Sequence, residues 1–243
     1  MLYLSRSDWG AAPAKKNLPV SPRLKGVCLH WMGFAIHDDP ATITSSIQRA
    51  HMSPPRSWWD VAYNELVGLD GTVVEGRGLL HRSGAQGGTR NNKDYVALGL
   101  LLGPGQLPTP EMVAAVQQRI AVVRFFQPQA TAIVGHQQLK PTQCPGPEVM
   151  SLIHSGAFEP GADPLPPEVV APEFPEPEGL VKRGHRGEDV KWVQHHLARH
   201  GHKVVIDGVA GRKTERAIRA FQRRVGLTAD GVVGKRTRSA LAR

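Results

Sequence analysis

The sequence predicts two folded units: an α/β domain, built as a mixed sheet covered by helices, and a small all-α domain of three helices. Three observations carry this expectation. Residues 158–179, FEPGADPLPPEVVAPEFPEPEG, hold seven prolines and no regular apolar period. Proline neither continues a helix nor serves an interior strand, and acidic, proline-rich sequence favours an extended, semi-rigid linker. Over 1–157, short apolar runs alternate with helical patterns. Over 180–243, apolar residues recur at helical spacing and one turn motif occurs twice.

Within 1–157, GVCLHWM reads as a strand and ATITSSIQRAHM (41–52) as a helix. AYNELVGLDGTVVEG reads as a hairpin turning at Asp70-Gly71, because Asp-Gly supplies the positive φ that a tight turn needs. DYVALGLLLG is apolar almost throughout, as a strand buried on both faces would be. In TPEMVAAVQQRIAVVRFF (109–126), Thr109 can cap a helix and Pro110 fits its first position. IVGH (133–136) is a short strand feeding a proline-containing loop. Beyond the linker, GEDVKWVQHHLARHG, KTERAIRAFQRRVG and GKRTRSALAR read as three helices, the first two closed by Gly201 and Gly226. DGVAG (207–211) and DGVVG (230–234) precede the second and third, an internal repeat of tight turn plus helix start. Val190, Val193, Leu197, Ala217, Ile218 and Phe221 are expected to form the core there.

No apolar run approaches the ~18 residues that a membrane span needs, so membrane insertion is not expected. The start, MLYLSRSDWG, lacks the basic stretch, apolar core and small-residue cleavage site of a secretory signal. The expectation is a protein that stays in the cytoplasm of the producing cell until something else releases it. Two cysteines cannot build a multi-bridge scaffold, and a cytosolic chain would keep both reduced. Cys28 alternates within an apolar run and reads as packing.

The net charge of +9 is unevenly spread. It divides into +4 over 1–158, −6 over 159–179 and +11 over 180–243, so the strongly basic unit is the tail. Such a unit suits an anionic partner, either nucleic acid or the phosphate-bearing polymers of a bacterial wall.

In GHQQLKPTQCPG (135–146), His136 and Cys144 flank a loop stiffened by Pro141 and Pro145. Imidazole nitrogen and thiolate sulfur are zinc donors, and a catalytic site keeps three protein ligands and one open position. A third ligand must come from elsewhere. His30 leads because it ends the VCLH strand, where a side chain reaches an opening; His37, His51 and His81 are alternatives. A strand of period two through VAYNELVG puts Tyr63 and Glu65 on one side. If that side lines the cleft, the phenol could donate a hydrogen bond to developing charge and the carboxylate could handle protons.

With these residues assembled, the first domain resembles the zinc-dependent N-acetylmuramoyl-L-alanine amidases of type 2, the superfamily that includes phage lysozyme-type amidases and peptidoglycan recognition proteins. The resemblance runs from SDWGA (7–11) to CPGP (144–147), carried by DVAYNELVGLDGTVVEGRG (60–78) and IVGHQQLKPTQCPG (133–146). It implies His30, His136 and Cys144 as Zn2+ ligands, Tyr63 as an assisting catalytic residue, and Thr142 as a contact to the reacting carbonyl. Relatives that carry a catalytic glutamate in the strand matching ALGLLLG differ from this chain, which has leucines there and so favours the tyrosine type of site. Glu65 occupies a place more often apolar, and its role stays open. Gln86 in GAQG (84–87) replaces a histidine common among relatives, which bears on substrate contacts and not on the metal.

The tail resembles the three-helix peptidoglycan-binding domain appended to wall hydrolases. Together the two resemblances imply an endolysin-like wall amidase, acting on peptidoglycan after release, with anionic wall polymers as further partners of the tail. A bacterial autolysin or effector would share this chemistry. A recognition protein that binds wall fragments without cutting is the alternative, but such members usually lack the cysteine ligand. Nucleic acid is not expected as a partner, since it would explain the basic tail and not the metal set.

Overall fold

The computed structural model describes residues 2–161, 174, 176–200, 202, 204 and 206–242. Two compact units are present, Met1–Val170 and Ala171–Arg243. No described helix is long and apolar enough to cross a membrane.

In the first unit the elements run β1 (Tyr3–Leu4), β2 (Gly26–Trp31), α1 (Pro40–Met52), β3 (Glu65–Val67), β4 (Val73–Glu75), α2 (Thr89–Asp94), β5 (Tyr95–Leu100), α3 (Pro110–Phe126), β6 (Ala132–Gly135) and α4 (Pro147–His154). The strands form one mixed sheet in the order β1-β4-β3-β5-β2-β6. Only the β3–β4 hairpin is antiparallel; the other neighbouring pairs are parallel. The apolar β5 lies in the interior of the sheet, flanked by β3 and β2, which explains why nearly every residue in it is apolar. Thr109 caps α3 by accepting from Met112 N, with Pro110 at the first turn, and Asp39 caps α1 in the same manner. Three elements escape the sequence pattern. β1 has two residues, α2 (TRNNKD) has no apolar face, and α4 is a short helix that begins at Pro147.

The two faces of the sheet are covered by different helices. Leu66 packs in a buried cluster with Ile47 of α1, Val61, Ile36 and Leu101, which Tyr63 and Met32 border. Its neighbour Glu65 points to the other face, where both carboxylate oxygens accept from Arg119 of α3 at 2.8 and 2.6 Å. The Arg119 guanidinium also lies over the Tyr3 ring, 5.2 Å from its centroid, so the pair ties β1, β3 and α3 together.

The packing of the first unit continues past residue 157, where the linker was expected to begin. Phe158 is fully buried, Ala157 O accepts from Gln117 Nε2, and Glu159 pairs with Arg124 at 2.6 Å. The proline-rich middle, 162–173 with 175, lies outside the described residues.

The second unit holds α5 (Glu188–Arg199), α6 (Arg212–Arg224) and α7 (Lys235–Leu241). Val190, Val193, Leu197, Ile218 and Phe221 are buried as expected, whereas Ala217 is only half-buried. Gly226 closes α6 with φ +71°, and Gly201 lies outside the described residues. The sequence repeat has a physical counterpart. Gln194 Nε2 donates to Asp207, to Val209 O and to Thr214, while its Oε1 accepts from Gly208 N. Gln222 makes the same four contacts with Asp230, Val232, Thr237 and Gly231. One buried amide thus fastens each Asp-Gly turn to the helix start that follows it.

Removing one partner of a fully buried ion pair leaves an uncompensated charge, which costs ~3–5 kcal/mol. Arg119→Leu is therefore expected to lower the unfolding free energy of the first unit by that amount in urea titrations. The double variant Glu65→Leu/Arg119→Leu should recover most of the loss.

Candidate metal centre

The centre is built where β2 and β6 run side by side. Their parallel register pairs Leu29 with Gly135. The next residue of each segment is a histidine, His30 within β2 and His136 just past the end of β6, and the two emerge together with ring centroids 4.5 Å apart. After His136 the chain makes a 3-10 turn (His136–Gln138), with Leu139 and Lys140 donating to His136 O. It then returns, because Gln137 N donates to Cys144 O at 2.7 Å. That bond carries Cys144 to within 3.6 Å of His30 Nδ1. Gly146 follows with φ +88°, and a Cβ there would fall 2.6 Å from the Trp31 ring, so glycine is required on both counts.

The donor atoms of His30, His136 and Cys144 all lie within 4.8 Å of one another. His30 Nε2 and His136 Nε2 are buried without a hydrogen-bond partner, a costly arrangement unless something else satisfies them. Two imidazole nitrogens and a sulfur match the donor set of zinc, so the residues present fit such an ion. Burial, more than the neighbouring His136, holds His30 well below the usual imidazole range, which keeps it in the neutral, ligating form. His136 is lowered too, by burial and then by Lys140. Burial pushes the Cys144 thiol up to about 11, opposed by the Trp31 N–H that points at the sulfur from 3.4 Å.

Tyr63 borders the same cleft of about 240 Å³, together with His51, Trp58 and Ala85. Its ring centroid is 5.4 Å from that of His30. Gly99, which pairs with His30 on β5, makes room for it, since a Cβ at Gly99 would lie 3.0 Å from Tyr63 Cγ. Burial raises the phenol above its ordinary range, so Tyr63 keeps its proton at neutral pH.

Tyr63 and Glu65 do not share a side, contrary to the period-two expectation. The reason is Asn64, whose backbone N and side-chain Oδ1 lie in one ladder position: the N donates to Ala97 O and the Oδ1 accepts from Ala97 N. Its Nδ2 donates to Gly78 O and His81 O. The regular strand starts only at Glu65, and Tyr63 falls on the face of Leu66. Glu65 is thus absent from the cleft and engaged with Arg119. Thr142 is on the returning loop, its hydroxyl accepting from Cys144 N at 3.3 Å, and it borders a neighbouring concavity.

Of the alternative ligands, His37 is exposed and His81 Nδ1 lies 2.6 Å from Arg77 O. His51 does reach the cleft, but its Nδ1 accepts from Ala62 N and burial pushes its pKa down to about 4. Gln86 is fully buried, bonded to Ser83, Asn92 and Tyr95 O, and lines neither cleft. Cys28 is buried and free, as expected. The sequence reading missed Trp31 and Trp58 at the cleft walls. Asn64, a polar residue inside an apolar run, was the visible signal for the broken strand.

Cobalt(II) added to the full chain is expected to give an absorption band from thiolate-to-metal charge transfer. Cys144→Ser should abolish that band while leaving the far-ultraviolet circular dichroism unchanged.

Comparison with known proteins agrees with this geometry. Residues 21–147 match the family described as N-acetylmuramoyl-L-alanine amidase, and residues 186–241 match one described as a peptidoglycan binding domain. Peptidoglycan-recognition protein SC1a of Drosophila melanogaster is 30% identical over 158 residues, 62% of this chain and 83% of its own length. N-acetylmuramoyl-L-alanine amidase of Sus scrofa is 30% identical over 163 residues, 62% of this chain but only 26% of that protein. Among solved structures, wild-type Drosophila PGRP-LB superposes with a TM-score of 0.57 at 27% identity, covering 66% of this chain and 97% of that one. The chain belongs to the N-acetylmuramoyl-L-alanine amidase family, in the superfamily that includes the peptidoglycan recognition proteins.

Proposed function

We propose that the protein is a zinc-dependent amidase that hydrolyses the bond between the lactyl group of N-acetylmuramic acid and L-alanine in bacterial peptidoglycan. The observation that carries this reading is the convergence of His30, His136 and Cys144, with two orphaned imidazole nitrogens, in one cleft with the Tyr63 phenol. Zinc held by these side chains would supply Lewis acidity to a carbonyl and make hydroxide accessible near neutral pH.

The residues have separable tasks. His30 and His136 bind as neutral rings because their burial disfavours the cation. Cys144 binds as a thiolate, assisted by the Trp31 N–H. Tyr63, protonated at neutral pH, donates a hydrogen bond to the oxygen on which negative charge develops. Thr142 has no basic group and offers only a hydroxyl hydrogen bond from the edge of the adjoining concavity.

Support for the substrate class comes from the relatives. A mutant form of Drosophila PGRP-LB, 26% identical to this chain, was solved in complex with tracheal cytotoxin, a monomeric diaminopimelic acid-type peptidoglycan. Several relatives are named as recognition proteins, which favours binding without cleavage as a second reading. The complete ligand triad argues for cleavage. The tail would hold the enzyme on its polymeric substrate, with its charge of +11 adding attraction to anionic wall polymers. A tether of about twenty residues raises the local concentration towards the millimolar range. This is the organisation of an endolysin, acting on the wall after release.

Mass spectrometry of wall digests should find new amino termini on L-alanine and no new reducing sugar ends; intact stem attachments would instead favour the recognition reading. Tyr63→Phe should cut turnover about 10²–10³-fold, the range for loss of one oxyanion donor, with metal content retained. Deleting 180–243 should weaken co-pelleting with intact walls while leaving turnover of small muropeptides.

A further inference from the structure

The doubled turn of the tail carries a doubled charge. Each Asp-Gly turn leads into a helix start with two cations before a threonine, GRKT (211–214) and GKRT (234–237). The threonines are buried against Gln194 and Gln222, which leaves Arg212, Lys213, Lys235 and Arg236 exposed. One segment, 181–187, ties the two starts together. Val181 exchanges backbone hydrogen bonds with Val233 at 3.1 and 2.8 Å, just before α7. Gly184 N donates to Ala210 O at 2.9 Å, and Ala210 N donates to His185 O at 3.0 Å, just before α6. The segment adds Lys182 and Arg186, both exposed. From Val181 to Arg186 the chain can span at most about 18 Å. Six cations are thus gathered along one short track.

The carboxylates that could neutralise them are committed elsewhere. Five acidic side chains lie over 180–243. Asp207 and Asp230 accept from Gln194 and Gln222. Glu188 pairs with Lys191 at 2.6 Å, and Glu215 pairs with Arg183 and Arg219 at 3.6 and 3.1 Å. Among the described residues only Asp189 is left over, and no ion pair engages any of the six cations.

We propose that this track is a docking surface for a linear polyol-phosphate chain, the class of phosphate-bearing polymer that a bacterial wall displays. The choice of partner rests on the wall-anchoring reading of the tail, which sets the surface beside wall phosphates and not DNA; it does not depend on what the first unit cleaves. A flexible chain with regularly spaced phosphates can lay successive charges along exposed cations without a shaped pocket. Other polyanions ask for groups that the track lacks. A single-stranded nucleic acid stacks its bases on aromatic side chains. Trp192 and Phe221 are buried, and no Phe, Tyr or Trp lies in the segment or in either helix start. An anionic bilayer takes up an apolar face beneath the charges. Among the described residues only Leu180 offers a large exposed apolar side chain next to the segment. Duplex DNA asks for cations alone, so the experiment separates it directly.

The test titrates the full chain into fluorescently labelled poly(glycerol phosphate) and reads anisotropy. Arg186→Gln and Lys235→Gln, at opposite ends of the track, should each weaken saturable binding about fivefold at about 0.1 M salt, the worth of one phosphate contact with a flexible polyanion. Arg223→Gln removes the same charge from the far end of α6 and should leave the affinity unchanged. All three side chains are exposed, so the far-ultraviolet circular dichroism should not change. Equal weakening by Arg223→Gln would mean diffuse attraction to the whole tail and would overturn the surface. Absence of binding, or tighter binding of duplex DNA or of phosphatidylglycerol vesicles, would overturn the partner. Co-pelleting of the wild-type protein with walls stripped of phosphate polymers by hydrofluoric acid decides the anchoring reading separately. Pelleting retained there would support peptidoglycan as an independent anchor; its loss would refute that reading, while the titration would still decide the track.

Discussion

The parallel pairing of β2 with β6 is the constraint on which the site depends. Leu29 opposite Gly135 places His30 and His136 at matching ends of neighbouring strands. A slip of one residue would turn one imidazole to the opposite face of the sheet. Everything else at the centre refers back to that register. The bond from Gln137 N to Cys144 O returns the loop to its own start, and the Trp31 N–H meets the sulfur that arrives. A rigid strand thus supplies one donor, the turn leaving the paired strand the second and a short braced loop the third, a division that fixes geometry more tightly than three loops could.

The same sheet separates chemistry from support. On the face of α1, Leu66, Val61 and Ile47 form an apolar bed that Tyr63 borders. On the face of α3, Glu65 and Arg119 neutralise each other in full burial. The phase set at Asn64 already puts Glu65 on the face away from the two histidines and the cysteine, and its pair with Arg119 anchors β1 there through Tyr3.

The tail solves its own problem with one device used twice. Gln194 and Gln222 each satisfy an Asp-Gly turn, a carbonyl and a threonine hydroxyl at once. In so small a unit, where the core contributes little, fully satisfied buried amides fix the helix starts and the course of the chain between them. The basic side chains can then remain on the surface, where charge serves association.

Much of this was legible in the residues. Periodicity and caps located α1, α3, β2 and β5, because amphipathic and buried patterns are local properties of the chain. His136 and Cys144 announced a donor pair through their residue types and intervening prolines, and the resemblance named His30. What the sequence left open was which face each side chain would take. Period two put Tyr63 with Glu65, but Asn64 replaces a ladder contact with its own side chain and shifts the phase. α2 and β1 were silent because neither is long or apolar enough to carry a period. Choosing among His30, His37, His51 and His81 on spacing alone was beyond the sequence, because residues far apart in the chain meet only through strand register. Sequence determined the donor chemistry and the elements; the tertiary structure decided which donors converge, because that depends on cross-strand pairing and not on any local run of residues.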